Sequence, residues 1–380
     1  MGRVIECEAL FSWSGTKWKW PAHENACSWS GELTDRQQLA SERIIASINK
    51  QEKELLVWAV CGAGKTEMLY KGIAQALVLG KRICLATPRA DVVRELLPRF
   101  RQAFSSIDIQ GLYGGSKDND GTAQLILATT HQLLRFQEAF DVMIIDEVDA
   151  FPFHADPSLP YAADRAKKTV STTIYLTATP RNNYQKRISG NKLPHIFVPV
   201  RFHGKPLPVP RMKMCFLLRK NLQQNNPPAS FFTWLKNRDN PQRQLLIFVP
   251  TIKLAANMKK KLAQTLVESS HINAECELIS VHASDSDREK KVIQFRNKQT
   301  KVLITTTILE RGVTFPSVDV AVLDAGHTVF DEAALVQIAG RAGRSIDDPE
   351  GEVVFFHDGK TNAMIQAIKS IKVMNKKGGF

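Results

Sequence analysis

An apolar run, LLVWAV (Leu55–Val60), passes directly into a glycine loop, CGAGKT (Cys61–Thr66), and then into helical periodicity, EMLYKGIAQAL. Few folds accept that order. A continuous apolar run reads as a strand buried on both faces, which belongs in a parallel sheet covered by helices. Parallel strands need a crossover, and a helix starting a few residues after the strand supplies one. The chain is therefore expected to be a layered α/β protein. Gly62 and Gly64 let backbone N–H groups approach a polyanion, and the following helix start adds its positive dipole end. Lys65 is placed to neutralise the outer phosphates of a nucleoside triphosphate, and Thr66 to hold magnesium. Ala59 stands where the usual pattern has its first glycine, and a small side chain is enough there. Ala59, Gly62, Ala63, Gly64, Lys65 and Thr66 form the expected ATP site.

The strand–loop–helix rhythm repeats along the chain. RICLAT (82–87), QLILAT (124–129), VMIID (142–146) and TIYLTAT (173–179) continue it. FHGKPLPVP and NNPPAS then break it with proline and asparagine, as a connection would. It resumes with QLLIFVP (244–250), ELISVH (277–282), KVLITTT (301–307), VAVLD (320–324) and GEVVFF (351–356). The expected organisation is a Trp-rich N-terminal segment at 1–32, a first α/β lobe at 33–200 and a connection at 201–228. A second lobe at 229–365 and a basic tail at 366–380 follow. A chain of 380 residues is also too long for one ordinary core.

Charge narrows the partner. The formal net charge is +13, which favours a polyanion, since Lys and Arg displace counterions from phosphates. No apolar run reaches bilayer length. Glu6 and Glu8 stand where a signal peptide would be apolar. The expected location is the cytoplasm, with peripheral attachment at the inner face of the membrane left open. Cys7, Cys27, Cys61, Cys84, Cys215 and Cys276 form no C-x-x-C pair, so neither a zinc site nor a disulfide framework is written here. Cys61 lies beside a helix start, which predicts a reactive thiol that ATP would shield; the alternative is a small loop filler. Four of the six tryptophans (Trp13, Trp18, Trp20, Trp29) fall in the first thirty residues. Lys17, Trp18, Lys19 and Trp20 alternate at strand spacing. That pattern fits a base-stacking surface or an edge strand packing its indoles onto the neighbouring domain.

Two further segments carry chemistry. DEVD (Asp146–Asp149) follows the strand VMIID, and ligands in open α/β sheets sit outside such strand ends. Asp146 is placed to hold magnesium, and Glu147 to orient and deprotonate an attacking water. In QIAGRAGR, Gln337, Arg341 and Arg344 lie at i, i+4 and i+7, one stripe of an expected helix. Two arginines on one face would serve to close on a γ-phosphate.

Read in order, these motifs resemble those of superfamily 2 helicases and translocases. TPR (Thr87–Arg89), ATTHQLL (Ala128–Leu134), TAT (Thr177–Thr179), FVPT (Phe248–Thr251) and TTTILERGVTF (Thr305–Phe315) stand where that superfamily places its motifs Ia, Ib, III, IV and V. More narrowly, TTILERGVTFP, the DEVDAFPF extension and the FHGKPLPVP connection resemble the ComFA family of competence proteins, relatives of the PriA helicases. The resemblance implies two RecA-like parallel-sheet lobes in tandem, and a DNA-dependent ATPase that uses ATP and magnesium to move single-stranded DNA during transformation. It implies partners among the competence proteins at the membrane DNA channel, with oligomerisation open. It assigns Thr87, Arg89, Thr129, Thr130 and Thr305 to strand phosphates, and Thr177 and Thr179 to coupling. It assigns Gln37 to the adenine edge, although Thr34-x-x-Gln37 also reads as a capping box. A PriA-like replication-restart helicase and a non-hydrolysing DNA-binding scaffold are the alternatives. ComFA members usually carry a four-cysteine zinc element near the N-terminus. Cys7 and Cys27 alone cannot build one, and Thr314 replaces an aspartate common in motif V.

Overall fold

The computed structural model describes residues 18–118, 120–310 and 314–380. Cys7, Trp13 and Lys17 lie outside the described residues, as do Arg311, Gly312 and Val313 of the TTTILERGVTF segment. The first sheet has seven strands: β1 (Glu54–Ala59), β2 (Ile83–Thr87), β3 (Ile109–Leu112), β4 (Leu125–Thr129), β5 (Phe140–Ile145), β6 (Lys167–Thr177) and β7 (His195–Val198). Their order is β3-β4-β2-β5-β6-β1-β7. The second has six: β8 (Arg211–Met214), β9 (Gln244–Phe248), β10 (Leu278–Val281), β11 (Val302–Thr305), β12 (Val318–Leu323) and β13 (Val353–His357). Their order is β10-β11-β9-β12-β13-β8, and every pairing is parallel. Each long apolar run of the sequence has become a strand of one of these sheets. β2, β4, β9 and β12 are buried along their whole length.

Three strands carry no such signal. β3 (IQGL), β7 (HIFV) and β8 (RMKM) sit at sheet edges, where one side of the strand has no neighbour. Polar residues are tolerated there, so the apolar pattern fades. β8 and the short helix Leu218–Gln223 lie within 201–228, so the stretch read as a connection gives the second sheet one of its two edge strands.

Packing divides the chain into two compact units. One contains Ser41–Leu55, Leu69–Tyr175 and the described residues up to Gly31; the other contains Glu32–Ala40, Leu56–Met68 and Leu176–Phe380. The glycine loop thus packs in the same unit as the second sheet. In the first unit, Trp18 and Trp20 do not form a strand. Instead the Arg82 guanidinium stacks over the Trp20 ring at 4.7 Å, and Trp29 meets Tyr70 edge-on at 5.5 Å. Trp20 and Trp29 therefore pack, while Trp18 is 75% exposed. Among the described residues, no helix is long and apolar enough to cross a membrane.

A buried charge cluster holds the base of the second sheet. Asp319, at the second position of β12, is fully buried. Its carboxylate accepts from Arg238 at 3.2 Å and from the Glu352 backbone N–H at 2.8 Å, and lies 3.5 Å from Arg243. Removing one partner leaves buried charge without its counterion, which costs far more than the pair contributes. Asp319→Ala is expected to lower stability by about 3–5 kcal/mol. Urea unfolding checks this, and a variant within about 1 kcal/mol of the parent would contradict it.

Candidate nucleotide site

The strand β1 stops at Ala59 because the chain must reverse before the helix Lys65–Val78. Gly62 and Gly64 make the reversal, with φ of 81° and 74°. A side chain at either position would be strained. A Cβ on Gly64 would also come within 2.3 Å of the Gln37 amide nitrogen. Backbone bonds fix the loop further. Ala63 N–H donates to the Val60 carbonyl at 3.1 Å, and the Gly62 carbonyl accepts from Phe202 N–H at 2.9 Å. Both ends of the Gly62–Ala63 peptide are therefore held. As in any helix, the first N–H groups after Gly64 lack intrahelical acceptors and favour an anion.

Gln37 is 5% exposed and links the loop to the helix Asp35–Asn49. Its Oε1 accepts from Thr34 N–H at 2.8 Å, and its own N–H meets Thr34 Oγ1 at 3.4 Å. That is the capping box. Its Nε2 donates to the Ala63 carbonyl at 2.9 Å, so the same side chain that starts a helix also braces the phosphate loop.

Cys61 is 2% exposed, and its thiol donates to Gln337 Oε1 at 2.9 Å. This corrects the expectation of a reactive thiol, because burial denies reagents access whatever the neighbouring helix does. Close approach explains Gly340 as well: a Cβ there would lie 2.5 Å from the Cys61 Cβ.

The arginine segment also differs from its expected form. The helix Glu332–Ala339 is capped by Asp331, which accepts from Ala334 N–H, and it ends at Gly340. Gln337 is on this helix, but Arg341 and Arg344 are beyond it. Gly340 and Gly343 break the stripe. Gly343 has φ of 62°, and a Cβ on it would lie 2.1 Å from the Pro349 carbonyl oxygen. In the resulting turn, Arg341 is 2% exposed and donates through Nε and Nη2 to the Glu310 carbonyl, at 2.9 and 2.6 Å. Arg344 donates to the Gly340 carbonyl at 2.7 Å. Gln337 Nε2 is buried with no hydrogen-bond partner among the described residues. A buried orphan donor beside a glycine loop suits a ligand or water.

One residue of this site went unread in the sequence. Arg201, just after β7, is 2% exposed. Its Nη1 and Nη2 donate to the carbonyls of Gly343 and Ala342 at 2.6 and 2.5 Å. Burial, reinforced by the Arg344 charge, pushes its pKa down to about 10. No periodicity marks RFHGK, so only its basic character inside a proline-rich stretch could have drawn notice.

The remaining expected residues are in the following places. Asp146 follows β5, and its N–H donates to the Ala86 carbonyl at 2.8 Å, tying it to the end of β2. Glu147 N–H donates to Asp146 Oδ1 at 2.9 Å, and its φ of 55° is left-handed. Non-glycine residues adopt that conformation uncommonly. Thr177 Oγ1 accepts from Thr179 N–H at 3.0 Å, closing the TAT turn. Thr87, Thr130 and Thr305, which the resemblance assigns to strand phosphates, are fully buried. The Thr305 hydroxyl donates to the Val281 carbonyl at 3.0 Å. Thr129 is 8% exposed, and Arg89 pairs with Asp91 at 2.8 Å. Backbone N–H groups remain the better candidates for contact at these positions.

Residues 30–182 match the family model "Type III restriction enzyme, res subunit", and residues 230–346 match "Helicase conserved C-terminal domain". The chain is 46% identical over 379 residues to competence protein ComFA of Bacillus subtilis, covering 99% of this chain and 79% of that protein. It is 41% identical to ComFA of Streptococcus pneumoniae, covering 94% and 80%. The chain belongs to the ComFA family. Its ATP-hydrolysing helicase character follows from that membership and from the two matched domains. The fold is shared with Saccharomyces cerevisiae Dbp5 bound to RNA and ADP BeF3, at TM-score 0.64 and 16% identity over 90% of this chain and 88% of that one. It is shared too with the Mycobacterium smegmatis helicase Lhr bound to ssDNA and AMP-PNP, at TM-score 0.63 and 16% identity over 92% of this chain and 50% of that one. Both are RecA-like two-sheet structures, as expected here.

ATP and magnesium fit the residues present. Within the second unit, the glycine loop has the cradle, Gln337 has the orphan donor, and Thr66 carries a hard oxygen of the kind magnesium prefers. The burial of Cys61 gives a direct check. An aromatic disulfide reagent should modify exposed Cys276 in the native protein and leave Cys61 unmodified. Peptide mapping reads the two sites, and equal labelling would contradict the burial of Cys61.

Proposed function

We propose that this chain is a DNA-dependent ATPase that moves single-stranded DNA inward during bacterial transformation, at the cytoplasmic face of the membrane beside other competence proteins. The observation that carries this reading is the 46% identity to a ComFA protein across 99% of the chain. A net charge of +13 supports a nucleic-acid partner. The two lobes are taken as residues 33–200 and 229–365, joined through 201–228.

The residue roles follow from their chemistry. Bound ATP supplies the scissile γ-phosphoryl bond, and magnesium, when bound, would draw negative charge away from it. Lys65 and the N–H groups after Gly64 hold the phosphates. Thr66 and Asp146 would hold the metal. Glu147 orients the attacking water and takes its proton. Gln337, Arg341 and Arg344 stabilise the charge that develops during transfer, once the arginines leave the carbonyls that hold them here. Thr177 and Thr179 couple the nucleotide to movement of the strand. The roles of Arg89 and Thr129 are to position phosphates without reading bases.

The test is the ATPase rate with no DNA, with single-stranded DNA and with duplex DNA, in the parent and in Glu147→Gln. Single strands are expected to stimulate the parent most, and the variant to be slower by ~10²–10⁴. No stimulation by any nucleic acid would overturn the motor reading. Stimulation confined to forked duplex would favour a replication-restart helicase, and an active Glu147→Gln would remove the assigned base.

A further inference from the structure

Arg201 is held differently from Arg238 and Arg243, the arginines at the base of the second sheet. Arg238 and Arg243 answer to the carboxylate of Asp319. Among the described residues Arg201 has no carboxylate partner: it donates to two backbone carbonyls, and its Nε is buried with no partner there. A buried cation needs compensation, and the chain supplies it from the turn between Ala342 and Gly343. That is the turn bearing Arg341 and Arg344.

The backbone on either side of Arg201 is tied to the phosphate loop. The Val198 carbonyl accepts from Val60 N–H at 3.1 Å, and Phe202 N–H donates to the Gly62 carbonyl at 2.9 Å. The two ties bracket Arg201, so its Cα follows the loop. Its side chain then packs within 3.7 Å of where a Gly62 Cβ would be. A second donor acts on the same turn. His203 Nε2 lies 3.1 Å from the Gly343 carbonyl, and Lys205 N–H donates to His203 Nδ1 at 3.3 Å. Nδ1 therefore accepts, and in the neutral ring Nε2 carries the proton. The Gly343 carbonyl thus receives two donors from one three-residue segment, and the Ala342 carbonyl receives one.

We propose that Arg201, with His203 in support, is a positioning residue for ATP turnover that clasps the Arg341–Arg344 turn to the phosphate loop. The fork geometry matters. A guanidinium presents parallel donors to two adjacent carbonyls, whereas an ammonium presents a point charge and holds neither direction. The clasp sets where the arginines start, not whether nucleotide binds. The inference rests on the assignment of that turn to ATP turnover.

The test compares Arg201→Lys and Arg201→Gln with the parent by kcat, by KM for ATP, and by affinity for a fluorescent ATP analogue, at saturating single-stranded DNA. Each variant is first shown to be folded by circular dichroism. A misplaced catalytic group lowers kcat by about 10- to 100-fold, and that loss is expected in both variants with analogue affinity unchanged. His203→Ala is expected to give a smaller fall in kcat in the same direction. Arg344→Gln is expected to be slow, and adding Arg201→Gln to it should cost little more, because groups acting as one unit are not additive. Should Arg201→Gln fail to fold, Arg201→Lys and His203→Ala carry the decision. A folded Arg201→Lys at the parental kcat overturns the clasp. So does a double variant whose losses multiply, or a loss confined to nucleotide affinity. If Arg344→Gln turns over at the parental rate, the assignment of the turn falls, and the clasp falls with it.

Discussion

The peptide joining Gly62 to Ala63 is the point on which the nucleotide site depends. Its carbonyl is held by Phe202 and its N–H by Val60, while the next carbonyl is held by Gln37. A phosphate loop works by aiming backbone N–H groups, and a loop free to flip its peptides would aim nothing. Three separate stretches of chain meet at this peptide: the start of the helix Asp35–Asn49, the end of β1 and the residues after β7. The two glycines permit the curve, and the hydrogen bonds choose one version of it.

The buried arginines of the second unit are held in two ways. Where the chain requires permanence, at the base of the second sheet, Arg238 and Arg243 share the carboxylate of Asp319. Near the phosphate loop, the bonds that hold Arg201 and orient Arg341 run to backbone carbonyls. A carbonyl satisfies a guanidinium's geometry without neutralising it, so Arg201 keeps its positive charge beside the glycine loop.

Much of this was legible in the sequence, for a physical reason. Strands such as LLVWA, ICLAT and VDVAVL are buried on both faces, so their apolar character is continuous and unmistakable. Edge strands such as RMKM are half-solvated and carry no such mark. The glycine loop was readable because its chemistry is local. The arginine segment was misread in shape because periodicity was followed through Gly340 and Gly343, where the helix stops. Arg201 was invisible because its meaning lies in contacts 141 and 142 residues away in the chain, which no local pattern encodes. Cys61 shows the opposite error: its local setting suggested reactivity, and a distant partner, Gln337, removed it.

The central claim is that nucleotide held at this loop drives movement along a single strand. Streptavidin displacement from the end of a biotinylated single-stranded oligonucleotide tests that most directly. The parent with ATP should release streptavidin faster than without ATP, and from one end in preference to the other. Lys65→Ala should show no ATP-dependent release. A parent protein that hydrolyses ATP on single-stranded DNA yet displaces streptavidin no faster with ATP than without would contradict the account.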